Sequence, residues 1–199
     1  MPSSRRVKEV YIHCSATPWG DVMIFDEWHR LRRGWSAIGY HFVVLNGRPK
    51  ADVRYWSFLD GQVQPGRHLD DDPVYERDEV GAHVAGRNSI SIGFCLVGLD
   101  EFTPKQLVTA KTLSLTLLAH FGLGFNALKG HYEDPNTEKT CPNIPCSAFR
   151  DYIGDKISLN VLQKCIFDQK ELNWVNLHEK NEEEWYAEWI VKNSEAKDG

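Results

Sequence analysis

The chain has 199 residues, an apolar fraction of 42%, a charged fraction of 26% and a formal net charge of −5. That length suits one domain with an appendage better than two full domains, and the composition excludes wholesale disorder. The acidic balance argues against a general polyanion binder, so no direct nucleic-acid binding is expected, and no apolar run approaches the ~18 residues of a membrane span.

Arg5, Arg6 and Lys8 at the start are not followed by an apolar stretch, so no cleaved secretory signal is expected. With no export signal, the five cysteines (Cys14, Cys95, Cys141, Cys146, Cys165) point to free thiols or a metal ligand rather than a disulfide framework. The first element, 7–14, reads as a strand with Val10, Ile12 and Cys14 on one face and Tyr11 and His13 on the other. Cys14 is accordingly read as a small buried residue. Thr17-Pro18-Trp19-Gly20-Asp21 is a turn, and Ile24, Trp28 and Leu31 then recur at helical spacing up to Gly34. Residues 38–45 read as a second strand, and Asn46-Gly47 after them favours a hairpin.

Arg48 to Glu79, with its prolines and Asp70-Asp71-Asp72, reads as a long loop of the kind that often carries function. Its Trp56, Phe58 and Tyr75 suggest either a sugar-contacting cover or a satellite hydrophobic cluster. Residues 89–98 form a strand with little charge on either face, hence a central one. Thr103-Pro104-Lys105-Gln106 is a capping-box start for a helix in which Leu107, Ala110, Leu113, Leu117 and Phe121 recur. A short strand over 127–132, a loop and a helix over 147–153 capped by Ser147 follow. The order predicts an α/β fold: a single domain over 1–154 with a central mixed β-sheet flanked by helices. Residues 155–199 carry ten acidic and six basic side chains, so −4 of the net charge lies there. They read as an acidic helical C-terminal extension, with Ile157, Val161, Leu162 and Ile166, then Trp174, Leu177, Trp185, Trp189 and Ile190, as its apolar positions.

His13 and His131 stand at strand ends, and Cys141 lies in a loop ten residues past His131. Two imidazoles and a thiolate make a three-ligand zinc set with a fourth position open. The spacing is not that of a compact zinc finger, and ordinary hydrogen-bonded histidines with a buried thiol account for the same residues. Glu133 is a rival general base. His29, His68, His120 and His178 carry no assignment.

Four strings in one order narrow the choice: Ile12-His13-Cys14-Ser15-Ala16-Thr17, Gly39-Tyr40-His41-Phe42-Val43-Val44, Gly81-Ala82-His83 running through Asn88 to Gly98, and Lys139-Thr140-Cys141-Pro142. Together, from about Val7 to Ile153, they resemble the zinc-dependent N-acetylmuramoyl-L-alanine amidases, specifically the small phage endolysin type within the amidase and peptidoglycan-recognition superfamily. The resemblance implies one zinc ion on His13, His131 and Cys141, with Tyr40 and Lys139 as active-site residues. It also implies that His83 and Asn88 line or support a groove for substrate. If Tyr40 and His41 belong to a regular strand, their alternation lets at most one of them face that groove. The implied substrate is peptidoglycan, cut between N-acetylmuramic acid and L-alanine by a monomer made in the host cytoplasm and released through a membrane pore. A non-catalytic peptidoglycan-binding module, and an amidase that also binds and regulates phage RNA polymerase, are the alternatives it leaves. Relative to that family, the 48–79 segment, the 131–141 loop and the tail are longer.

Overall fold

A computed structural model describes residues 6–173 of the chain, apart from 71 and 73. Strands β1 (Glu9–Cys14), β2 (Phe42–Val44), β3 (Val63–Pro65), β4 (Ser91–Leu96) and β5 (Leu128–Gly130) form one sheet in the order β3-β2-β4-β1-β5. β4 pairs in parallel with β1 and β2, β1 pairs in parallel with β5, and β3 runs antiparallel to β2. The helices are α1 (Val22–Arg33), α2 (Pro104–His120), α3 (Cys146–Ile153) and α4 (Leu159–Asn173). This is the mixed-sheet α/β architecture expected, with β4 at its centre.

Alternation along the strands sorts the core into two layers. Val10 and Ile12 of β1 and Ile92, Phe94 and Leu96 of β4 meet Leu107, Ala110 and Leu117 of α2, Phe149 of α3, and Leu162 and Ile166 of α4. On the opposite face, Val43 and Cys95 meet Phe25 and Trp28 of α1, with Trp19, Ile38 and Leu45 around them. β1 sends no apolar side chain into that second layer. Its residues on this face are Glu9, Tyr11 and His13, and the polar site is built over them.

The capping box of α2 forms as expected: Thr103 accepts from the Gln106 N–H, and Gln106 Oε1 accepts from the Thr103 N–H. Elsewhere the boundaries and faces move. In α1 the buried face is Phe25, Trp28 and His29, while Leu31 is 63% exposed, because Trp28 packs against both Phe25 and Trp19 at ring separations of 5.5 Å. The second strand is only Phe42–Val44. Before it, Gly39 N–H turns to His29 Nδ1 and the Tyr40 carbonyl accepts from Arg67 N–H. Asn46-Gly47 does not close a tight hairpin. The Asn46 side chain bonds Pro18 O and Arg48 N instead, and the chain rejoins β2 only at β3.

Three further boundaries change. The fourth strand shortens to Ser91–Leu96, and the fifth ends at Gly130, where a 3₁₀ turn, His131–Glu133, takes over. Ser147 does not cap α3, which starts at Cys146 with the Cys146 N–H donated to the Tyr132 hydroxyl at 2.8 Å. Trp56, Phe58 and Tyr75 do not form one cluster. Trp56 and Phe58 stack on each other in the open, whereas Tyr75 is buried.

α4 is a layer of the domain: Leu162 is fully buried and Ile166 nearly so. Trp174, Leu177, Trp185, Trp189 and Ile190 lie outside the described residues. Leu162→Ala is expected to lower the unfolding free energy by about 2–5 kcal/mol in urea titration. Val161→Ala, at a site 46% exposed, should change it by no more than ~0.5 kcal/mol.

Candidate metal centre

Register brings the two histidines together. Ile12 pairs with Gly130 across β1 and β5, so the next residue on each chain is a histidine, and the rings of His13 and His131 lie 4.8 Å apart. Cys141 is delivered by the loop that follows. The Tyr132 N–H donates to Cys141 O at 2.9 Å, and the Cys14 N–H donates to Cys141 Sγ at 3.0 Å. Asn143 Nδ2 donates to Leu99 O at 2.8 Å and holds the far side of the loop to the end of β4. As a result one ligand atom each of His13, His131 and Cys141 falls within 4.8 Å of the others, with Cys141 Sγ 3.8 Å from His13 Nδ1.

This donor set fits a cation. Burial, then neighbouring imidazoles, hold His13 well below the ordinary histidine range, and burial pushes the Cys141 thiol up. His13 is therefore a neutral imidazole, and the Cys141 sulfur already receives a backbone N–H, the arrangement a thiolate takes beside a metal. Among these three there is no carboxylate, and the soft sulfur with two nitrogens matches a borderline ion such as zinc.

The Glu133 carboxylate, the rival base, is already engaged. Its carboxylate takes both Arg150 nitrogens at 2.8 and 2.9 Å and the Gly130 N–H at 2.9 Å. Burial pushes it up, but the guanidinium and the backbone donor outweigh this and hold it below the ordinary carboxylate range. Its work is to fix the His131 turn against α3. Asp134 fixes the next residue, accepting from Arg87 Nε at 2.9 Å and Asn136 N–H at 2.9 Å, with the Tyr11 hydroxyl at 3.4 Å.

Tyr40 lies with its ring 5.2 Å from His13. His41 packs 5.6 Å from His83, so both neighbours border the His13–His83 pair. Neither belongs to a regular strand, and of the two only Tyr40 is partly exposed while His41 is fully buried. Lys139 stands exposed on the loop two residues before Cys141, its N–H donated to Thr137 Oγ1. His83 and Asn88 are turned inward: His83 Nδ1 lies 3.1 Å from His13 Nε2, and Asn88 Oδ1 accepts from the N–H groups of His83 and Val84. His68 lies near Asp70 and Glu79, but the Glu79 carboxylate already accepts the N–H groups of Asp70 and Glu76 and so braces the loop.

Two of the histidines without an assigned role accept backbone N–H groups near the site. His29 Nδ1 accepts the Gly39 N–H at 3.1 Å and its ring lies 5.4 Å from Tyr40. His41 Nδ1 accepts the Gly93 N–H at 3.0 Å while its other nitrogen meets Glu79 O. Both bonds are to glycine backbone distant in the chain, Gly39 and Gly93, so no local motif signals either one.

Comparison with known proteins places this geometry. A family model described as N-acetylmuramoyl-L-alanine amidase matches residues 3–144. The chain belongs to the N-acetylmuramoyl-L-alanine amidase family. It is 33% identical over 146 residues to the endolysin of Escherichia phage T7, which covers 68% of this chain and 80% of that protein. With the endolysin of Klebsiella phage KP32 the identity is 31%, over 70% of this chain and 83% of the relative. The amidase LysC from Clostridium intestinale shares the fold at a TM-score of 0.58 and 24% identity, covering 76% of this chain and 87% of that one. Drosophila PGRP-LB superposes at a TM-score of 0.50 with 28% identity, over 69% and 75% of the two chains.

The amidase domain should lose stability in mild acid. Burial depresses His29 and His41 to about 4 in the folded state, below the ~6.5 of an unfolded chain. Their contribution is therefore complete above ~6.5 and is lost as pH falls from there toward the folded value. At about pH 5 each contributes a loss of about 2 kcal/mol, read from urea midpoints, and His29→Gln should flatten the profile by its share.

Proposed function

We propose that this amidase is a phage endolysin that hydrolyses the bond between the lactyl group of N-acetylmuramic acid and L-alanine, using one zinc ion held by His13, His131 and Cys141. The observation that carries the metal assignment is the convergence of these three side chains, more than a hundred positions apart at the extremes, on ligand atoms within 4.8 Å. The phage endolysins among the relatives support the biological setting.

When bound, zinc supplies a Lewis acid for the scissile carbonyl and lowers the pKa of water toward ~7. The chain supplies the rest. In this reading the Tyr40 phenol, beside His13, donates its O–H to the carbonyl oxygen as negative charge develops there. Lys139, on the loop that carries Cys141, adds a cationic donor to the same oxygen. The proton that the attacking water loses is the one the leaving L-alanine amine needs, and Tyr40 is the group assigned to pass it on. Tyr40 is held for this by the backbone on either side of it: Gly39 is bonded to His29, and Arg67 to the Tyr40 carbonyl.

The test is a peptidoglycan suspension with the purified chain. Turbidity should fall, a chelator should stop the fall, and added zinc should restore it. Cys141→Ser is expected to lose both the ion and the activity. Tyr40→Phe should keep its zinc yet lose about 10²–10³ in kcat. A zinc-loaded chain that freed no new L-alanine amino groups from purified wall would overturn the reading.

A further inference from the structure

We infer that His83 is a positioning residue for the metal centre: its Nδ1 accepts the Nε2 proton of His13 and so reserves the His13 Nδ1 lone pair for the ion. The inference rests on the metal assignment made above and adds a residue to it.

The argument follows the protons. Ser91 Oγ donates to Arg87 O at 2.9 Å, so it meets His83 with its lone pairs. His83 Nε2 lies 3.5 Å from that oxygen and 3.4 Å from Ser91 O, so both of these neighbours are acceptors. His83 Nε2 must then carry a hydrogen. The partners of this buried ring are His13 and Ser91, with no carboxylate between them, so a second proton would be an unpaired buried charge and only one of its nitrogens carries hydrogen. Nδ1 is left as an acceptor, 3.1 Å from His13 Nε2. His13 must be the donor in that contact, and its own lone pair falls on Nδ1. That is the nitrogen 3.8 Å from Cys141 Sγ.

The surroundings preserve this alignment. Asn88 Oδ1 takes the N–H groups of both His83 and Val84, which fixes the turn at the base of the ring. Gly93 on β4 clears the ring's other side, since a Cβ there would sit 2.5 Å from His83 Nδ1. Any side chain at 93 would push the acceptor off His13. Metal-ligating histidines elsewhere are oriented by a partner for the second ring nitrogen, commonly a carboxylate or carbonyl, and losing it typically costs 10–100-fold in metal affinity. Here that partner is a second imidazole, passing the hydrogen bond on to a strand carbonyl.

Zinc affinity of the full chain, measured by chelator competition, tests the assignment. His83→Leu is expected to weaken zinc binding about 10–100-fold. His83→Asn, whose side-chain oxygen can stand where Nδ1 stood, should recover most of the loss. Imidazole ¹⁵N spectra of the zinc-loaded wild-type chain should show His13 bound through Nδ1 with a slowly exchanging proton on Nε2. They remain decisive if the leucine variant does not fold. Ligation through His13 Nε2, or a folded His83→Leu chain that binds zinc as tightly as wild type, would overturn the inference. A wild-type chain that bound no zinc at all would overturn the metal assignment itself, and this inference with it.

Discussion

Parallel pairing of β1 with both β4 and β5 is the constraint on which the site depends. Because the three strands run the same way, their C-terminal ends reach one edge of the sheet, and side chains far apart in sequence emerge side by side. The Ile12–Gly130 register then sets His13 beside His131 without any local motif joining them. A slip of one residue in that pairing would turn His13 toward the α2 layer, among Ile12's apolar neighbours. The same register places Gly93 opposite Tyr11, leaving the space that His83 fills. Strand packing and the meeting of His13 with His131 are thus one requirement, and the apolar layer beneath β1 and β4 keeps the pairing from slipping.

The second theme is how few of the polar groups around the centre act on their own. Glu133 anchors the His131 turn to α3 through Arg150, and Tyr132 caps that same helix. Asp134 ties the turn to Arg87 and Tyr11. Such partly buried, charge-assisted bonds orient side chains more than they add net stability. Ligands held in this way meet an ion with little rearrangement, the condition under which a site selects geometry.

What was legible in the chain follows from how local each signal is. The α2 start could be read because Thr103 and Gln106 cap each other within four residues. The centrality of β4 showed in its uncharged run, and the grouping of His13, His131 and Cys141 in residue type and motif order. The errors share a cause in long-range contacts. Glu133 resembled a free base because Arg150, its partner, arrives on a helix seventeen positions later. Ser147 looked like a cap because nothing nearby indicates that the Tyr132 hydroxyl reaches the Cys146 N–H. His83 could be placed near the site by resemblance, but its proton-accepting role depends on Ser91 and Arg87 in three dimensions.

The anchoring of the 131–141 loop at its two ends has a consequence for how such an enzyme can diversify. Asp134 is held on one side and Cys141 on the other, while Pro135, Asn136 and Glu138 between them are exposed. Lengthening a surface loop between fixed ends costs only about 0.6 kcal/mol per doubling. The stretch between these anchors can therefore be rebuilt to suit a different wall chemistry while His131 and Cys141 stay where they are. Evolution and the protein engineer are offered the same place to cut.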